Sequence, residues 1–381
     1  MPLPIDYLTR CDETGANISN TLKNIFFRYY LAWKYAIHLR KPILTLKLIR
    51  NMILVYIFRR PLLRYVDFAV DFPCNLKCEH CFATAFQKSD RKEEKLTPED
   101  YRIIAAQCRK LGAISFSFQG GEPFLFLDKL EEFIRVCRPS GSLVSVTTNG
   151  TLCTRENVER LKKAGVDIFT ISIDSLIPEE HDAFRGVPGS LKKTLQAVEL
   201  ALEAEIRVTI GTTISHQNIL SEGLRMVMEF ARRKKCLLVF AMAAAAGKWQ
   251  DRDDLLLTEE DLGLIDTYCR ENPYVHTDLE GNYLHYGCGA MKEIIYLTPY
   301  GDVLSCPFLH ISFGKAPNES IQTIRERGLQ NPYLKVYWPR CLAAADQLFR
   351  EKVLSQLKGR ERLPVRDKEI IWPPEVVRPK Q

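Results

Sequence analysis

Between Thr14 and Val66 the chain has no aspartate and no glutamate, yet ten lysines and arginines fall in that stretch. The absence confines the basic character to one segment. Residues 1–66 carry a net +8 and residues 67–381 a net −2, within the total of +6. That argues against a nucleic-acid groove through the larger part of the chain, so no nucleic acid is expected as a partner. A cleavable signal is missing too, because residues 1–13 are mostly polar and include Asp6, Asp12 and Glu13. The apolar stretch Ile43–Arg60 is broken by Lys47 and Arg50 and is too short to span a bilayer comfortably. The N-terminal part also lacks the alternating strand pattern of a winged-helix module. What remains is an ordinary globular composition, 46% hydrophobic and 26% charged, enough for two domains or one with appendages.

Cysteine, by contrast, is plentiful: there are twelve. Six of them, Cys11, Cys108, Cys137, Cys153, Cys236 and Cys269, are scattered and read as single thiols, buried ones for preference. The other six fall into two groups. This pattern points to metal ligation in a reducing, cytoplasmic setting and away from a disulfide framework. The first group is Cys74-Asn75-Leu76-Lys77-Cys78-Glu79-His80-Cys81-Phe82. Three thiolates at CxxxCxxC spacing can grip three corners of a [4Fe–4S] cube. No fourth cysteine lies nearby, which leaves one iron open, unlike the four-cysteine run of a ferredoxin. On spacing alone a structural zinc site with His80 as fourth ligand stays open.

Upstream of that group, Asn20–Arg40 and Ile43–Arg60 read as helices separated by Pro42. Their basic residues and apolar faces fit either an interfacial helix on an anionic membrane surface or a helical extension packed on the main domain. From Tyr65 a strand–helix alternation begins. Strands are expected at Tyr65–Phe72, Ile114–Gln119, Leu143–Asn149, Ile168–Asp174, Ile206–Ile214 and Leu237–Met242. Helices are expected at Thr97–Leu111, Leu127–Cys137, Arg155–Ala164, Ser190–Ala204 and Asn218–Lys234, with Pro98 a start and Gly112 and Gly165 stops. Six such units make an α/β fold: a partial (β/α)6 TIM-like barrel with function at the strand C-terminal ends. The three cysteines follow the first strand at such an end.

The other strand ends carry polar residues. Gln119-Gly120-Gly121-Glu122-Pro123 offers glycines that let backbone approach a ligand, and a carboxylate that accepts from an ammonium group. A plain turn would suit it as well. Thr148-Asn149-Gly150 is a turn signal. Ser172 and Asp174 share a strand face, and Arg185 has the fork geometry that grips a carboxylate.

Together these residues resemble the radical S-adenosylmethionine (SAM) enzymes, over about residues 65–345. The closest branch carries a C-terminal auxiliary-cluster domain of SPASM or Twitch type. The resemblance implies that Cys74, Cys78 and Cys81 hold a SAM-binding [4Fe–4S] cluster and that Phe82 lies near the adenine. Gln119, Gly120, Gly121 and Glu122 would meet the methionine amino group. Ser172 and Arg185 match positions binding the methionine moiety, Asp174 a position near the ribose, and Asn149 a neighbouring one. It also implies reductive cleavage of SAM to a 5′-deoxyadenosyl radical that takes hydrogen from a C–H bond. An electron donor such as flavodoxin or ferredoxin would supply the electron.

The second cysteine group, Cys288, Cys306 and Cys341, follows a helical bridge over residues 243–287 whose clearest helix is Leu257–Arg270. Tyr296–Cys306 reads as a hairpin turning at Tyr300-Gly301-Asp302. The group resembles the opening of the auxiliary domain but lacks its dense final run of cysteines. One auxiliary [4Fe–4S] cluster is the most it can build, with Asp346 or His310 as guesses for a fourth ligand. Tyr286, Tyr300 and His310 are aromatic residues near it that could face a substrate. The expected organisation is a basic helical extension (1–64), the core barrel (65–245), a small α+β auxiliary-cluster domain (246–350) and a basic, Pro-rich, extended tail (351–381).

Three functions follow in order of expectation. The first is radical chemistry on a lipid or other apolar substrate by a peripheral protein at the membrane surface. The second is maturation of a ribosomally made peptide. The third is a non-catalytic metal-binding protein.

Overall fold

The computed structural model describes residues 30, 41–87, 92–279 and 287–373. The expected helix Asn20–Arg40, apart from Tyr30, lies outside these residues, as do Cys11 and Tyr286. The first described helix is α1 (Pro42–Tyr56), with Pro42 in its first turn. It ends before Arg59, whose φ is 52°, and Pro61 then bars any continuation.

Alternation of strand and helix builds the body in order. The strands are β1 (Tyr65–Asp71), β2 (Ser115–Gly120), β3 (Leu143–Thr148), β4 (Ile168–Ser172), β5 (Arg207–Ile214) and β6 (Leu237–Met242). Between them run α2 (Pro98–Lys110), α3 (Leu127–Val136), α4 (Arg155–Ala164), α5 (Pro178–Arg185), α6 (Ser190–Glu203) and α7 (Glu222–Lys234). Local chemistry sets the helix ends. Thr97 and Asp100 form a reciprocal cap at the start of α2. Gly165 (φ 107°) and Gly186 (φ 71°) close α4 and α5 in the left-handed conformation. Helix α7 starts at Glu222 and not at the expected Asn218. The Asn218 side chain instead accepts from the Ser215 amide at 2.8 Å, and Ser221 caps the helix.

All six strands are parallel and pair in sequence order. The sheet does not stop there. After α8 (Glu259–Glu271), the short strand β7 (Val275–Thr277) joins the free edge of β6. On the other edge, β8 (Ile294–Leu297) pairs parallel with β1, and β9 (Asp302–Leu304) returns antiparallel as a hairpin. Then β10 (Ile311–Lys315), helix α9 (Ile321–Leu329) and β11 (Val365–Arg366) extend that side, so the described strands form one eleven-stranded sheet. The tail is therefore partly docked: Leu363, Val365 and Ile370 are buried, and Trp372 packs near Phe313 and Phe349. Its apolar residues find a surface despite the basic composition.

Side chains alternate across the barrel wall. Phe68 and Phe116 point outward, Phe68 lying 5.0 Å from Tyr101 of α2. The opposite face is polar and partly open: Thr170 and Ser172 on β4 are half-buried, while Phe169 and Ile171, which alternate with them, are fully buried. Ser117, Gln119, Ser145, Thr147, Thr209 and Thr213 share that inner face by strand alternation.

Helix α1 lies across the opposite end of the barrel from the cysteine loop. Asn51 Nδ2 donates to Gly112 O at 2.7 Å, just ahead of β2. Lys47 Nζ donates to Gly141 O at 2.8 Å, just ahead of β3, and Lys41 Nζ meets Asp167 at 2.6 Å, just ahead of β4. Strands of this length put the two ends roughly 20 Å apart.

Candidate functional site

The loop carrying Cys74, Cys78 and Cys81 leaves the C-terminal end of β1, and all three thiols are half-buried. Each neighbouring strand end braces it. Gly121 N donates to Asp71 O at 2.7 Å and Glu122 N to Pro73 O at 3.0 Å. A Cβ on Gly121 would overlap the carbonyls of Phe72 and Pro73, and one on Gly120 that of Asp71. The glycine pair expected to let backbone approach a ligand thus brings the end of β2 against the stem of the cysteine loop.

Glu122 is buried and already engaged. Its carboxylate accepts from Phe124 N (3.1 Å), Thr148 Oγ1 (2.8 Å) and Asn149 N (2.9 Å). Burial outweighs these bonds and raises its pKa to about 7. Asn149 carries the brace onward. Its Nδ2 donates to Asn75 Oδ1 at 2.9 Å and lies 3.9 Å from the Cys74 sulfur, while its Oδ1 accepts from Thr151. Asn75 and Thr151 were not singled out in the sequence, since polar residues in loops look like ordinary turn formers.

On the other side stands α5. Backbone bonds Lys77 N→Arg185 O (3.2 Å) and Glu79 N→Phe184 O (2.8 Å) tie the loop to its last turn. Arg185 is buried, held by Asp174 at 2.6 Å, with Nη1 3.8 Å from the Cys78 sulfur. Burial alone would raise the Asp174 pKa, but Arg185 reverses that and the net shift is downward. Asp174 Oδ1 also accepts from Thr213 N at 3.0 Å. The Arg185 guanidinium and the Asp174 carboxylate are thus committed to each other, leaving Ser172 as the half-buried hydroxyl at this strand end.

A turn at residues 247–249 covers the loop. Lys248 Nζ donates to Lys77 O (3.0 Å) and Cys78 O (2.8 Å), and Gly247 sits where a Cβ would overlap Cys81 O. His80 stacks on Phe184 at 4.6 Å and lies near Trp249, and burial pushes its pKa down to about 3. Among the described residues no three His, Cys, Asp or Glu side chains converge on a single-ion position. A zinc site needs thiolates about 4 Å apart around one ion. Cys74, Cys78, Cys81 and His80 do not form one.

Phe82 reaches the second cysteine group. Its ring meets Phe308 edge-on at 5.5 Å and Tyr296 at 6.4 Å. Cys341 feels the charges of Cys288 and Cys306, so these three thiols are gathered, and burial raises the Cys306 pKa to about 12. Asp346 caps a short helix through Phe349 N (2.7 Å). His310 packs on Phe86 at 4.5 Å, and Tyr300 lies at the hairpin turn near Phe72. Inside the barrel, Asp67 of β1 and Tyr296 of β8 are register partners. Asp67 Oδ2 accepts from Gln119, while its Oδ1 and the Tyr296 hydroxyl are buried with no hydrogen-bond partner among the described residues. Burial raises the Asp67 pKa to about 7. Asp67 interrupts the apolar run Tyr65-Val66-Asp67-Phe68-Ala69-Val70, a signal that could have found it.

Residues 73–231 match the radical SAM superfamily. The AdoMet-dependent heme synthase of Methanosarcina barkeri is 33% identical over 169 residues, 44% of this chain and 47% of that protein. The antilisterial bacteriocin subtilosin biosynthesis protein AlbA of Bacillus subtilis is 25% identical over 299 residues, 74% of this chain and 63% of its own length. Among solved structures, Streptococcus suis SuiB bound to precursor peptide SuiA superposes with a TM-score of 0.60 at 18% identity, covering 85% of this chain and 80% of SuiB. The chain spans about half the length of the heme synthase relatives it matches. No name among these refers to a lipid, and the one described helix with an exposed apolar face lies at the barrel end away from the cysteine loop. The expected lipid substrate is therefore unsupported.

A [4Fe–4S] cluster and SAM are the cofactors of this superfamily, and the residues present fit a thiolate-held cluster. Three half-buried thiols share one loop, and Leu76 N, Asn149 and Arg185 direct N–H groups at their sulfurs, at 3.4, 3.9 and 3.8 Å. Burial holds the free Cys74 thiol up at about 11, a penalty that binding to a metal reverses. Residues 73–231 thus form a radical SAM domain, a domain of enzymes, and the fold of the chain is like that of SuiB.

Proposed function

We propose that the chain modifies a peptide, using Cys74, Cys78 and Cys81 to hold the SAM-binding cluster and Cys288, Cys306 and Cys341 to hold one auxiliary cluster. The observation that carries this reading is the extent of the likenesses. Those to AlbA and to peptide-bound SuiB extend over 74% and 85% of this chain, whereas the heme synthase match covers 44%. The inner barrel face supports it as well. Hydroxyls and amides such as Ser172, Thr170, Gln119 and Thr213 suit the hydrogen-bonding groups of a peptide better than an acyl chain.

When bound, the cluster and SAM supply a 5′-deoxyadenosyl radical. The protein's part is to hold and exclude. Asn149 and Arg185 steady the ligand loop, Glu122 fixes two strand ends, and the turn at Lys248 covers the loop. Phe82, Gln119 and Ser172 would face SAM and substrate. A flavodoxin or ferredoxin in the reducing cytoplasm would deliver electrons.

The test is co-expression with short peptides encoded beside the gene, followed by mass spectrometry. The reading expects a peptide mass change that disappears in Cys74→Ala. Unchanged peptides, together with a modified porphyrin or nucleotide, would replace it.

A further inference from the structure

Helix α1 is apolar on two opposite faces. Leu44, Asn51 and Val55 are buried against the barrel end. The opposite face carries Ile43, Leu46, Ile49, Ile53 and Ile57, exposed by 53, 67, 51, 43 and 70%. Their steps of three, three, four and four residues make one stripe along the helix. Eleven large hydrophobic side chains are exposed among the described residues, and six of them, counting Phe58, lie between Ile43 and Phe58. Such concentration marks a contact surface rather than scattered surface apolarity.

The body fixes which way the stripe points. Lys41, Lys47 and Asn51 bind the barrel end, so the stripe faces outward. The charge around it selects the occupant. Arg50, Arg59 and Arg60 are exposed at or beside the stripe, and no acid occurs between Thr14 and Val66. A second copy would bring the same positive charge against it, which like-charge repulsion opposes. At 15 residues the helix is about 22 Å long, and no described helix is long and apolar enough to cross a membrane.

We propose that α1 docks the protein on an anionic bilayer, its isoleucines and Leu46 in the headgroup–acyl boundary and its arginines at lipid phosphates. Because α1 lies at the strand N-terminal ends, docking points the cysteine loop away from the bilayer. The helix is then an anchor and not a substrate entrance, whatever the substrate.

The experiment is co-sedimentation of the full chain with vesicles of phosphatidylcholine alone or with about one-third phosphatidylglycerol. The proposal expects pelleting only with the anionic vesicles, weakened about tenfold or more by high salt and by the pair Leu46→Glu and Ile53→Glu. Circular dichroism of that variant should match wild type, since both side chains are exposed. A wild type that stays in the supernatant overturns the proposal. So does a variant that pellets equally, which would assign binding to the basic residues upstream. A wild-type dimer that the variant converts to monomer would hand the stripe to a second copy instead.

Discussion

Arg185 Nε and Asp174 Oδ2 lie 2.6 Å apart in the buried wall of the site, and the same guanidinium reaches 3.8 Å from the Cys78 sulfur. One side chain thus joins the end of β4 to the cysteine loop. Removing it strands a buried carboxylate. Arg185→Ala is expected to cost about 3–5 kcal/mol in chemical denaturation. The double variant with Asp174→Ala should cost less than the two singles summed, because each single leaves the other charge unpaired. Strict additivity would mean the pair is not coupled.

Gly121 tests the brace from the other side. Gly121→Ala pushes a methyl into the Phe72 and Pro73 carbonyls, so the loop stem must move. Iron bound after anaerobic reconstitution should fall severalfold. Gly263→Ala, inside α8 with nothing within 4 Å of its added Cβ, serves as the control. It should leave iron unchanged and raise stability by about 0.5–1 kcal/mol.

The buried acid Glu122 gives a pH signature. Its folded pKa is raised to about 7, so the folded state binds the proton that the unfolded chain has lost between the ordinary glutamate pKa and 7. Stability from this group therefore declines as pH rises through that window, by roughly 3 kcal/mol in total, and is flat above it. Glu122→Gln cannot titrate. Its melting temperature should fall less than the wild type's between mildly acidic and mildly alkaline buffers. Parallel curves would remove Glu122 from the account.

How much of this was legible beforehand divides by range. The six strands and most of their helices could be read because apolar runs, caps and glycine stops are local signals. Strand β7 is three residues long and has no period to detect. Strand β8 was read as half of a hairpin, and its parallel pairing with β1 depends on contacts more than two hundred residues apart. The clustered cysteines stood out through spacing. The braces did not, since Asn75, Thr151 and Lys248 acquire meaning only from what they touch.

Tyr296 separates structure from turnover. Its hydroxyl is buried beside Asp67 with no hydrogen-bond partner among the described residues, so Tyr296→Phe should be neutral or slightly stabilising in the free protein. If the inner face binds substrate as proposed, the variant should still cleave SAM in the absence of substrate but lose product formation on the peptide. Equal losses in both assays would make the residue a support for the cluster loop and not part of the substrate face.

The central claim is that Cys74, Cys78 and Cys81 hold an open-site cluster that cleaves SAM. The most direct measurement is anaerobic reconstitution with iron and sulfide, then SAM and dithionite, with 5′-deoxyadenosine and methionine quantified and the reduced protein followed by electron paramagnetic resonance. The account predicts about eight irons per wild-type chain, about four in Cys74→Ala, and 5′-deoxyadenosine from the wild type alone. Zinc in place of iron, or a Cys74→Ala protein that cleaves SAM as well as the wild type, would contradict it.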